Sequence, residues 1–80
     1  MAAVTVDRER RIVIGNRRLV TGQVDIASDG DTYDTKLNKI EYFSGVGSGG
    51  NVIDGAVSSG TITWNTSGAE TDVLVQVIGF

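Results

Sequence analysis

Residues 8–26 read RERRIVIGNRRLVTGQVDI, and this stretch decides the fold. Ile12, Val13 and Ile14 are β-branched and favour extended backbone. Gly15-Asn16 offers two residues that tolerate φ > 0, as a two-residue hairpin turn demands. A turn there pairs Ile14 with Arg17, Val13 with Arg18, Ile12 with Leu19 and Arg11 with Val20. Alternation along a strand then puts Ile12, Ile14 and Leu19 on one face and Val20, Val24 and Ile26 on the other. The apolar face changes sides between Val20 and Gly22. A bulge or strong twist near Gly22 would explain this, and so would a hairpin covered on both faces. Arginines sit on both arms: Arg8, Arg10 and Arg11 before the turn, Arg17 and Arg18 after it.

The flanking chain reads as strands added to this hairpin. Residues 3–7 alternate weakly and suit either a first short strand or part of an extended N-terminal arm over residues 1–7, within one domain of residues 1–80. Residues 28–39 are polar and rich in turn signals, with one helical turn expected over 32–37. Residues 40–44 are a strand with Ile40 and Tyr42 on one face and Glu41 and Phe43 on the other. A glycine-rich loop over 45–51 and a short strand over 51–57 follow. Residues 60–66, GTITWNT, alternate cleanly, with Ile62 and Trp64 inward and Thr61, Thr63 and Asn65 outward. Residues 72–80, DVLVQVIGF, are apolar on both faces: Val73, Val75 and Val77 on one, Leu74, Ile78 and Phe80 on the other. Such a strand is central or covered. No segment carries a long 3.6-residue apolar period, and turn signals recur every 8–12 residues. The fold expected is all-β, a small antiparallel β-sandwich or barrel of about six short strands. Its core is Trp64, Ile62, Val24, Ile26 and the Val73–Val75–Val77 face.

Composition narrows the function. Eighty residues give a thin core, and with no Cys no disulfide can reinforce it. Association is the compensation expected. Without His, the commonest metal ligand and neutral-pH base is missing. No nucleophile–base pair is credible, so no enzyme activity is expected. Apolar runs fall far short of a membrane span, and residues 1–10 do not read as a secretory signal; a soluble chain is expected. Without such a signal, the formal glycosylation sequon Asn65-Thr66-Ser67 means little. Gly45-x-Gly47-x-x-Gly50 matches a dinucleotide fingerprint literally, but no helix follows to receive a pyrophosphate. Asp29, Asp31 and Asp34 cluster, yet the sixth and twelfth positions counted from Asp29 hold Asp34 and Ile40, which fails the EF-hand pattern. No cofactor or metal is expected, and a solvated acidic loop is the plain reading.

Charge is unevenly placed. Residues 1–18 carry a net +3 and residues 19–80 a net −6, on a chain of net −3. A basic end on an acidic body implies docking by one end. The candidate partner-binding residues are Arg8, Arg10, Arg11, Arg17 and Arg18. Because the whole chain is acidic and lacks an RNA-binding signature, a protein with an acidic surface fits them better than nucleic acid.

The opening AVTVDRERRIVIGNRRLVTGQVDI also resembles the start of small virion proteins of tailed bacteriophages. That group shares a V-T-V start, an arginine-rich patch, a G-N-[KR]-R step (here Gly15-Asn16-Arg17-Arg18) and a following strand. IEYFSG after an acidic loop and the ending VQVIGF agree with it. The chain departs in lacking the longer Pro- and Gly-containing loop often found before the third strand. The resemblance implies a decoration or cement protein on the outer capsid surface. It implies the major capsid protein as partner and a small homo-oligomer, a trimer, as the working form. A tail, baseplate or host-recognition component of the virion is the alternative; a nucleic-acid-binding accessory protein is a third reading.

Overall fold

The computed structural model describes residues 3–80. The chain is all-β, with strands β1 (Thr5–Ile14), β2 (Arg17–Ile26), β3 (Thr32–Asp34), β4 (Ile40–Val46), β5 (Asp54–Ser58), β6 (Thr61–Asn65) and β7 (Glu70–Gly79). They form two antiparallel sheets, ordered β1-β2-β7-β4 and β3-β6-β5. The sheets pack face to face around one core, and single bridges join Thr32 of β3 to Ala3, ahead of β1, and Val46 of β4 to Val52, ahead of β5. The arrangement is therefore sandwich-like. Among the described residues no helix is long and apolar enough to cross a membrane.

The hairpin has the expected turn and register. Of the two turn residues only Gly15 takes positive φ, +60°, the φ signature of a type II′ turn rather than one with both residues left-handed. The irregularity expected near Gly22 lies elsewhere: β1 bulges between Val6 and Arg8, and the β2–β7 ladder shifts between Val24 and Ile26. Gly22 itself serves close approach, since a Cβ there would meet the Arg8 carbonyl oxygen at 2.8 Å.

Val20, Val24 and Ile26 of β2, Val73, Val75 and Val77 of β7, and Ile62 and Trp64 of β6 are all buried. β7 is central, between β2 and β4. Two further expectations fail. Residues 32–37 form no helical turn; Thr32–Asp34 pair with β6, and Tyr33 is buried opposite Ile62. Ile40 and Tyr42 do not share a face, because the β4–β7 register shifts between them. Ile40 is buried, Tyr42 is exposed, and Phe43 packs edge-on against Trp64 at 5.9 Å. Of the expected N-terminal arm, residues 1–2 lie outside the described residues; Val4 is buried and its N–H donates to the Thr32 carbonyl.

Candidate interaction surface

Register assigns every side chain of the four-stranded sheet to a face, because directly paired residues point the same way. The outward face carries an apolar row across all four strands: Ile12, Leu19, Ile78 and Tyr42. Ile14 flanks it in β1, 57% exposed. Phe80 flanks it past the end of β7, where the Arg17 guanidinium lies over its ring at 5.3 Å. Further along the same face stand Arg10, Thr21, Gln76 and Ser44, then Arg8, Gln23, Leu74 and Val46. Arg8 and Arg10 on one side and Leu74 and Gln76 on the other, with Thr21 and Gln23 between them, line a groove of ≈ 490 Å³.

The three-stranded sheet shows the opposite character. Its outward positions are Thr32, Asp34, Asp54, Ala56, Ser58, Thr61, Thr63 and Asn65. Hydroxyls and carboxylates hydrate well, so this face suits water; exposed Ile, Leu and Tyr do not.

The five arginines do not form one patch. Arg8, Arg10 and Arg17 share the outward face, whereas Arg11 and Arg18, paired with Val20 and Val13, point to the other. Arg17 is held by an ion pair with Glu41, and Arg11 by Glu9 at 3.1 Å. Arg8, Arg10 and Arg18 make no ion pair among the described residues. Arg8 and Arg10 stand two residues apart on one face, about 7 Å from each other, as free cations beside apolar surface.

On the other face of β1, one Glu9 carboxylate oxygen accepts from both Arg11 and the Tyr33 hydroxyl, the latter at 2.6 Å. Burial, and then the hydrogen bond to Glu9, push the Tyr33 hydroxyl well above its usual range.

The acidic loop is not simply solvated. Asp31 is buried and accepts from the Ala27 and Ser28 backbone N–H groups and the Ser28 hydroxyl. Asp29 accepts from the Thr66 N–H and Asp34 from the Lys36 N–H. These carboxylates staple turns and are not drawn to one point. A different trio, Asp7, Asp25 and Asp72, brings carboxylate oxygens within 4.8 Å of one another. Asp25 there accepts the Asp72 N–H.

Comparison with known proteins adds no assignment: no family model matches the chain, and no curated protein and no solved structure matches it.

Proposed function

We propose that this chain is a non-catalytic structural virion protein that binds the outer shell of a tailed-phage capsid. It docks through the outward face of the β1-β2-β7-β4 sheet. The observation that carries this reading is the contrast between the two outward faces: one apolar with free arginines, the other hydroxyl- and carboxylate-bearing. The V-T-V opening, the arginine patch and the Gly15-Asn16-Arg17-Arg18 step supply the phage part of the proposal. The partner is the major capsid protein, whose surface meets Arg8 and Arg10 with carboxylates and the Ile12–Tyr42 row with apolar groups. No cofactor takes part. A homo-oligomer, a trimer, lets weak contacts add by avidity.

The test mixes purified protein with shells that lack it and images the particles by cryo-EM. Density on the shell is expected. Density confined to the tail would replace this reading with the tail component. Salt-dependent DNA binding without shell binding would replace it with the nucleic-acid reading.

A further inference from the structure

Four strand edges bound the two sheets, and three are occupied or short. Against β4, the Ile53 N–H donates to the Gly45 carbonyl at 2.8 Å, the Ile40 N–H donates to Ser59, and Val46 bridges Val52. β3 has three residues, and Thr32 is bridged to Ala3. β5 has five residues, and its Gly55 N–H is taken by the Asp54 carboxylate at 2.9 Å. β1 differs. All ten of its residues are exposed, and among the described residues it pairs with β2 alone. From residue 8 to residue 14 its register to β2 is unbroken, and the bulge between Val6 and Arg8 ends the regular stretch.

An edge strand presents a row of unpaired N–H and C=O groups. Natural edges repel other strands with charge, and Arg8, Arg10 and Arg11 fit that use. Ile12, Val13 and Ile14 do the reverse: three β-branched residues in a row, 42%, 71% and 57% exposed, on both faces of an open edge. Left bare, such a segment invites pairing. A second copy is a poor occupant. The symmetric antiparallel register that pairs all seven residues sets Arg11 against Arg11 of the copy. It also places Arg8 and Arg10 opposite Ile14 and Ile12, leaving their charges unanswered.

We propose that the β1 edge, residues 8–14, is completed by an extended segment of the shell partner, added as an antiparallel strand. That segment carries carboxylates opposite Arg8 and Arg10 and β-branched residues opposite Ile12 and Ile14. Backbone hydrogen bonds supply the attraction, and the alternating side chains supply the choice of sequence. The inference rests on the shell-docking reading and names its point of contact.

The test tethers such a strand to the protein. The sequence Val-Thr-Val-Thr-Glu-Thr-Glu follows Phe80 through eight Gly/Ser residues, whose reach of about 16 Å spans β2 and β1. Tethering raises the effective concentration to about millimolar. Amide hydrogen exchange is then read along β1. The acidic tail is expected to slow the β1 amides that point away from β2 at least tenfold. A Val-Thr-Val-Thr-Lys-Thr-Lys tail is expected to leave them unchanged, and the acid-tailed protein is expected to lose shell binding. Equal protection by both tails, or none by either, overturns the proposal. So does concentration-dependent protection in the untailed protein, which would make a second copy the occupant. Shell binding by the acid-tailed protein with its edge protected would also overturn it. Binding of the untailed protein to shells is measured alongside, so the edge proposal can fail while shell docking stands.

Discussion

The Tyr33 hydroxyl donates a 2.6 Å hydrogen bond to the Glu9 carboxylate, joining β3 of one sheet to β1 of the other. Glu9 also holds Arg11, so one acid both fastens the exposed edge strand and settles one of its cations.

Removing that hydroxyl should show in the response to alkali. In the unfolded chain a tyrosine titrates at about 10. In the fold, burial and Glu9 hold its proton more tightly. The resulting stabilisation is fully present below pH of about 10 and is lost as pH rises through the higher folded value. Thermal melts from pH 8 to 11 should therefore fall more steeply for the parent than for Tyr33→Phe. At pH 7 the variant should cost about 1 kcal/mol, the net worth of a hydrogen bond to a partly hydrated acceptor. Parallel pH curves would contradict this.

The core should be most sensitive around Trp64. Its side chain is fully buried, beside Phe43 and under Gly45. Trp64→Ala should cost about 3–5 kcal/mol, enough to unfold a domain of this size at ambient temperature. A Cβ at Gly45 would lie 2.9 Å from two ring atoms, so Gly45→Ala should cost about 1–3 kcal/mol by overpacking. Urea titrations followed by Trp fluorescence measure the Gly45 effect; circular dichroism serves for the Trp64 variant.

Two arginine pairs should behave differently. Arg8→Ser with Arg10→Ser removes the two free outward cations and should weaken shell binding at least tenfold, with little change in melting temperature. Arg11→Ser with Arg18→Ser acts on the opposite face and should weaken it less. Binding of the parent should itself decline as salt rises, because exposed charges are screened over about 8 Å at physiological ionic strength. Equal losses for both pairs would show that face assignment does not govern docking.

The apolar row should matter to binding more than to folding. Tyr42→Ser with Ile78→Thr changes two exposed residues of one face. Stability should move by about 0.5 kcal/mol or less for each, while shell binding drops clearly. A pull-down against shells, paired with melting curves, separates the two effects. Unchanged binding would remove the row from the docking surface.

Much of this was legible in the chain. Gly15-Asn16 set the hairpin register, and the strand around Trp64 showed clean alternation with apolar residues inward. β3 was hidden because its alternation is written in polar letters. Asp31, Tyr33, Thr35 and Leu37 are buried in turn, but two of the four are an acid and a hydroxyl, so the pattern read as loop. Thr35 is accommodated by donating to the Gly60 carbonyl at 2.7 Å, a partner no local pattern reveals. The outward row was half visible. The doubly apolar β7 signalled it, but its alignment with Ile12, Leu19 and Tyr42 depends on β2 and β4 flanking β7, a long-range choice. The split of the arginines between faces followed from the hairpin register, while the ion pair of Arg17 with Glu41 did not.

The placement of β7 between β2 and β4 also sets the order of events in folding. The last of the seven strands to leave the ribosome is the one on which the larger sheet is built, and Leu19 must wait for Ile78, Tyr42 likewise. Until then the nascent hairpin holds Val20 and Val24 bare on one face and Ile12 on the other. Contacts this distant along the chain make folding slow, on the millisecond-to-second scale. During that interval the positive charge beside the turn opposes the association of one unfinished chain with another.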